Sequence, residues 1–159
     1  MTTTLALSSQ ALLLSSVVSD NYAYFGTANG DVIEVDLTDF SEVNHLYLDS
    51  GSVDTAIVNA DYAYFGVVDD SKTTVVKVNL AGLTLSENVQ LWGLTLRTSV
   101  VSGSYAYFGS NDDQGVVVKM NLDDLTSERK YFRYENFQFN DVPMSISTSF
   151  VSAGYVYFG

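Results

Sequence analysis

The sequence predicts an all-β protein assembled from four copies of one unit, and three observations lead there. The pentapeptide YAYFG occurs at Tyr22–Gly26, Tyr62–Gly66 and Tyr105–Gly109, and returns as YVYFG at Tyr155–Gly159. A valine-rich run keeps phase with it, as VIEVDL at Val32–Leu37, VVKVNL at Val75–Leu80 and VVKMNL at Val117–Leu122. A valine also stands four residues ahead of every motif, at Val18, Val58, Val101 and Val151. From Tyr22 to Tyr62 is 40 residues, from Tyr62 to Tyr105 is 43 and from Tyr105 to Tyr155 is 50, periods that belong to solenoids, propellers and arrays.

Within a unit the runs are about six residues long, rich in β-branched and aromatic residues, and separated by Gly, Asn, Asp and Ser, so each reads as a strand. In the first unit these are Ser15–Ser19, Tyr22–Thr27, Asp31–Leu37 and Glu42–Leu48, four antiparallel strands. The link Ala28–Gly30 suits a tight hairpin, because Asn and Gly tolerate the positive φ such turns require. Its counterparts, VVDDSKTT at Val67–Thr74 and SNDDQGV at Ser110–Val116, read as longer links. The units span 11–51, 52–96, 97–141 and, in part, 142–159; residues 1–10 hold a strand, Thr3–Leu7, of a preceding or closing unit.

A sheet with one wet face alternates apolar and polar residues, and YAYFG does not. Tyr22 and Tyr24 point to one face, Ala23 and Phe25 to the other, so both faces must be covered. The small second residue (Ala23, Ala63, Ala106, Val156) fits a place where neighbouring sheets converge, and Gly26, Gly66, Gly109 and Gly159 fit a strand end that is closely approached. A repeated four-stranded unit of 40 to 50 residues with both faces buried describes the blade of a β-propeller, whole or in part.

The stretch YFGTANGDVIEVDLTDFSEVNHLYLDSG, followed by TAIVNADYAYFG, resembles the YVTN-type β-propeller repeat: an aromatic strand, a polar hairpin, a valine-rich strand ending in an acidic residue, and a return to the aromatic strand. The resemblance covers nearly the whole chain. It implies a propeller fold and, for function, the range in which such repeats occur: surface-layer, adhesion and secreted binding proteins, and some enzyme-like settings. Phe25-Gly26 departs from that family's name-giving residues.

Counted from the amino end, the chain offers Thr3–Leu7, three complete units and two strands ending at Gly159. Ring closure by pairing Thr3–Leu7 with Ser147–Gly159 still lacks a strand, and an uncovered YVYF edge invites association. The expectation is that residues of a longer chain, or further copies, cover it.

Nineteen acidic against seven basic residues give a formal charge of −12, which repels a polyphosphate backbone and argues against nucleic acid as partner. Cysteine is absent, excluding disulfides and thiolate chemistry. The apolar start, MTTTLALSSQALLLSSVV, lacks a positive region and is broken at Ser8–Gln10, so it reads as part of the folded chain; no run of about 18 apolar residues suggests a membrane span.

Asp69 and Asp70, with Asp112 and Asp113, place hard oxygen ligands on links, which is Ca²⁺ chemistry, although Asp and Asn form turns anyway and no other cofactor is indicated. In ERKYFRYENFQF (Glu128–Phe139), Tyr131, Phe132, Arg133 and Tyr134 offer a partner patch or sugar-stacking platform on the outermost strand, against the plainer reading that they pack on a neighbouring sheet. Eight of the eleven tyrosines lie in the motifs (Tyr22, Tyr24, Tyr62, Tyr64, Tyr105, Tyr107, Tyr155 and Tyr157) and, with Phe25, Phe65, Phe108 and Phe158, read as packing residues. His45 has no second histidine beside it, and Trp92 receives no role.

No phosphate-cradling glycine loop, H-E-x-x-H or G-x-S-x-G is present, and Glu34, Glu42, Glu87, Glu128 and Glu135 are scattered. The sequence therefore reads as a non-catalytic module for protein interaction, self-association or assembly, secreted or at a cell surface. The competing class is a carbohydrate-binding or carbohydrate-active propeller that gathers carboxylates around its axis.

Overall fold

The computed structural model describes residues 4–70, 72–111, 115–131 and 145–159. Three four-stranded antiparallel meanders follow one another: β1 (Leu13–Ser19), β2 (Tyr22–Thr27), β3 (Asp31–Asp36) and β4 (Ser41–Tyr47); β5 (Ser52–Asn59), β6 (Tyr62–Asp69), β7 (Lys72–Asn79) and β8 (Thr84–Trp92); β9 (Leu96–Ser102), β10 (Tyr105–Ser110), β11 (Val116–Asn121) and β12 (Ser127–Tyr131). A two-stranded sheet, β13 (Ser149–Ser152) and β14 (Tyr155–Phe158), completes the described residues. Among the described residues no helix is long and apolar enough to cross a membrane.

Register is the same in every unit. The conserved spacing between valine and motif becomes a cross-strand pair: Val18 with Ala23, Val58 with Ala63, Val101 with Ala106 and Val151 with Val156. Each of these hairpins turns on two residues, the first in the left-handed region (Asp20 φ 51°, Ala60 φ 50°, Gly103 φ 60°, Ala153 φ 50°). The second link is shorter than the sequence suggests. Val67, Val68, Thr73 and Thr74 extend the β6–β7 ladder until Asp69 faces Lys72, because alternating β-branched residues pair well.

Sheets stack with their first strands together: β1 packs on β5, β5 on β9 and β9 on β13, while β4, β8 and β12 lie outermost and are largely exposed. Each middle sheet is buried on both faces. One face, here called forward, carries the motif tyrosines; the other, backward, carries its alanine and phenylalanine. Tyr24, with Val17 and Val32, packs on Ala63, Phe65, Val76 and Val78 of the second sheet. Tyr64, Ile57 and Val75 pack likewise on Ala106, Phe108, Val116, Val118 and Met120 of the third.

Convergence at the inner strands explains two of the motif glycines. A Cβ at Gly26 would lie 2.7 Å from Cβ of Val53 in the second sheet, and one at Gly109 would lie 3.0 Å from Cβ of Ile146, ahead of β13. Opposite these glycines the first strands bulge by one residue, Leu14 in β1, Asp54 in β5 and Arg97 in β9, which sharpens their bend toward the axis.

Among the described residues 4–12 no strand is formed. Residues 4–12 have no ladder; Leu5, Leu7, Ser9 and Ala11 are half-buried in alternation, and the segment crosses the backward face of the first sheet, where Ala23, Ile33 and Val35 are buried. It is held at one end by Ala28 N–H donating to Leu12 O at 2.9 Å and at the other by Ser8 N–H donating to Glu42 Oε2 at 2.6 Å. Pairing with β14 fails because β13–β14 stand at the far end of the arc and make no extensive contact with β1.

Two outcomes follow. Gly26→Ala overpacks the first interface and lowers stability by about 1–3 kcal/mol in urea denaturation; an unchanged midpoint would contradict the close approach to Val53. The Ser8 hydroxyl and, secondarily, its N–H hold the Glu42 carboxyl below its ordinary 4.5. A depressed carboxylate stabilises above its unfolded value and loses this as pH falls through the folded one. Proteolysis at residues 4–12 therefore rises below pH 4.5 and, in Ser8→Ala, is already raised at neutral pH.

Candidate functional site

In every complete unit the third strand places one charged residue beside the second motif tyrosine: Glu34 opposite Tyr24, Lys77 opposite Tyr64 and Lys119 opposite Tyr107. Between the first and second sheets the Tyr24 hydroxyl donates to Glu34 Oε1 at 3.1 Å. Burial, then the Glu34 charge, pushes that phenol above the usual tyrosine range.

Between the second and third sheets the arrangement becomes a socket. The Tyr64 hydroxyl donates to the carbonyl of Leu122 at 2.9 Å, and Lys77 Nζ donates to the same oxygen at 3.0 Å. The ammonium lies 4.8 Å over the Tyr62 ring, so a buried cation is compensated by a π-face and a carbonyl. Burial, with Asp123 second, pushes the Tyr64 phenol up to about 12.

The third sheet repeats the parts without the occupant. Lys119 Nζ lies 4.4 Å over the Tyr105 ring and 3.2 Å from Glu128 Oε1, which holds the ammonium above its ordinary value. In the position corresponding to Leu122 there is a cleft of about 280 Å³ lined by Tyr105, Lys119, Asn121, Thr126, Ser127 and Glu128. Among the described residues the fourth sheet consists of β13 and β14. That pair packs by its backward side, with Thr98 Oγ1 and Ser149 Oγ 2.6 Å apart, and turns Phe150, Tyr155 and Tyr157 outward. Phe150 and Tyr157 stack, with ring centroids 4.8 Å apart. Tyr24 and Tyr64 are each 2% exposed, whereas Tyr157, at the same place in the repeat, is 44% exposed and Tyr155 is 68% exposed.

Near the axis, Arg97 Nη1 pairs with Asp54 Oδ2, joining the bulges of adjacent sheets. Asp54 is the one acidic side chain on β1, β5, β9 and β13. Asp54 Oδ1 and Thr55 Oγ1 are buried without a partner among the described residues.

The other sequence candidates are dispersed. Asp69 is half-buried at the end of β6 and Asp70 is exposed in the turn; no group of three potential metal-ligating side chains gathers among the described residues. Asp112 and Asp113 lie outside the described residues, as do Phe132, Arg133 and Tyr134. Tyr131 ends β12 on the outer edge, half exposed. His45 on β4 brings its Nε2 3.0 Å from Asp31 Oδ1 of β3. Trp92, given no role from sequence, is largely exposed at the end of β8, with Lys72 Nζ 5.7 Å over its ring and its carbonyl accepting from Arg129 of the third sheet. The Lys77–Tyr64 pairing was legible in principle, since VVK recurs in phase with the motif; the Asp54–Arg97 pair was not, because it depends on two bulges.

No protein-family profile matches this sequence, and no curated protein matches it. Solved structures do. The chain superposes on the computationally designed Ika4 protein with a TM-score of 0.73 at 13% identity, covering 100% of this chain and 92% of that one. It superposes on Kuenenia stuttgartiensis hydrazine synthase with a TM-score of 0.71 at 13% identity over 87% of this chain. On BamB from Moraxella catarrhalis the TM-score is 0.67 at 19% identity over 90%. It spans 46% and 38% of the latter two chains. These are propeller-type proteins, and at such identity the likeness shows the fold: the chain is a β-propeller module, and its sheets are blades.

The socket yields an outcome in two measurements. Tyr64→Phe removes one bond to Leu122 O and lowers stability by about 0.5–1.5 kcal/mol. A phenol raised from 10.0 to about 12 stabilises below the unfolded value and ceases to as pH rises toward the folded one. The alkaline unfolding limb between those values is accordingly shallower in Tyr64→Phe; identical limbs would remove Tyr64 from the interface.

Proposed function

We propose that this propeller works without catalysis, as a module that holds a protein partner in adhesion or assembly, at a cell surface or in a secreted structure. The observation that carries the reading is the open forward end, where Phe150, Tyr155 and Tyr157 are turned out although the same repeat positions are packing residues elsewhere. Clustered aromatics are the side chains that supply binding energy when an interface closes over them. The resemblance to YVTN-type repeats agrees with a surface setting, as do the net charge of −12 and the absence of cysteine.

A second reading, carbohydrate binding or cleavage, is favoured by one observation: Trp92 presents an exposed indole beside Lys72 on the outer rim. Against cleavage, glycoside hydrolysis ordinarily needs two carboxylates, and Asp54, the one acidic side chain on the described strands β1, β5, β9 and β13, is paired with Arg97.

A glycan array and a panel of labelled polysaccharides separate these readings. Neither binding nor turnover is expected. Turnover that disappears in folded Asp54→Asn would make the protein an enzyme, and saturable binding lost in Trp92→Ala would make it a lectin.

A further inference from the structure

Each complete blade ends its outer strand on an exposed aromatic. Tyr47 lies opposite Asp31, Trp92 opposite Lys72 and Tyr131 opposite Val116, in each case the first residue of the third strand. The three are 58%, 61% and 49% exposed, where a side chain packed between blades is covered as Tyr24 and Tyr64 are. Trp92 differs from the two tyrosines in the charge around it. Lys72 Nζ lies 5.7 Å over its ring, and Arg129 Nη1 donates to its carbonyl at 3.1 Å. Arg97 and Lys119 meet carboxylates, of Asp54 and Glu128. Among the described residues Lys72 and Arg129 make no ion pair, although Asp69 stands opposite Lys72 in the ladder. In a chain of net charge −12, two cations therefore flank the single tryptophan. The backbone beside it is open as well: β8 is the outermost strand of its sheet and pairs with β7 without a bulge from Glu87 to Trp92.

We infer that Trp92 anchors an extended acidic segment of the protein partner, with Lys72 and Arg129 receiving its charge. The site rests on the reading as an interaction module and gives that partner its chemistry. Trp and Arg are over-represented among the residues that dominate protein interfaces. The ring and the carbonyl that hold the two cations leave their charges unneutralised, so a carboxylate gains by approaching either. An open strand edge accepts an extended chain through main-chain hydrogen bonds. By register Trp92 and Lys72 lie on the side of Val76, toward the first blade, whereas Arg129 reaches over from the third. Alternate residues of the segment therefore meet the indole on one side and the guanidinium on the other. Glu87, at the far end of the unbroken ladder, repels a carboxylate and sets the acidic part of the segment beside Trp92. A long polyanion is opposed by the net charge of the chain; a short segment, whose charges stay within a Debye length of the two cations, is not.

Trp92 is the only tryptophan, so its fluorescence reads this site alone. Iodide quenches it more strongly than caesium despite the negative chain, and Lys72→Gln with Arg129→Gln reverses that order. Binding is measured by anisotropy of a labelled peptide of three Glu-Leu repeats, with the Gln-Leu peptide as control. The acidic peptide binds, more weakly as salt is added, and the control does not. Trp92→Ala lowers the affinity about 30-fold, the size of an interface hot spot, and the double Gln variant lowers it about 5-fold or more. Circular dichroism checks the fold of each variant, and the double Gln variant tests the site even where Trp92→Ala does not fold. Stronger quenching by caesium in wild type, equal binding of both peptides, binding indifferent to the substitutions, or no binding up to about 1 mM peptide would each overturn the site. So would a wild-type dimer lost in Trp92→Ala, which makes the occupant a second copy, or binding of polygalacturonate lost in the same variant, which makes it an acidic glycan. A silent peptide beside a silent glycan array sinks this site and leaves the interaction-module reading standing.

Discussion

The structure depends on sheets that have no wet face. Because YAYFG puts tyrosines on one side and alanine with phenylalanine on the other, a single blade cannot bury its own motif and is stable only between neighbours. Burying one such side chain contributes about 1.5–3 kcal/mol, against a net of about 0.5–1.5 kcal/mol for an ordinary hydrogen bond. Apolar packing therefore decides that blades stack, and the polar contacts decide how. Tyr64 and Lys77 on the carbonyl of Leu122 lock one blade against the turn of the next at a fixed height.

Convergence at the axis is the second constraint. The inner strands approach closely enough that Gly26 and Gly109 have no room for a side chain beside Val53 and Ile146. Space widens outward, and there the repeat loosens: β4, β8 and β12 are exposed, and their sequences share little. The period lengthens from 40 to 43 residues because the β6–β7 hairpin, from Tyr62 to its partner Asn79, is three residues longer than β2–β3, from Tyr22 to Asp36.

Charge is arranged around these contacts instead of opposing them. Of the seven basic residues, Lys77 is buried at a blade interface, Arg97 joins two bulges, and Lys119 and Arg129 reach Glu128 and the Trp92 carbonyl. Asp36, at the end of β3, and Asp124, after β11, accept from Thr38 and Thr126 and are held below their ordinary values by those bonds. These two carboxylates are thus engaged in shaping the hairpins that join third and fourth strands.

The repeat was legible because its signals are local and multiplied. Each hairpin from a valine to the second motif residue depends on residues within a short span, and four copies in phase exclude accident, so the all-β fold class followed from the sequence. The β6–β7 link was misjudged because Asp69-Asp70 looks like a loop until the ladder on either side is seen. Thr4–Leu7 has the composition of a strand, yet a strand needs an edge to pair with, and the segment instead meets the backward face of the first blade and the carboxylate of Glu42. The Asp54–Arg97 pair lies between residues far apart in sequence, at two bulges. The sequence by itself determined what each blade is; only the tertiary structure decided which faces remain open, because exposure depends on how many neighbours stack and not on the residues of any one unit.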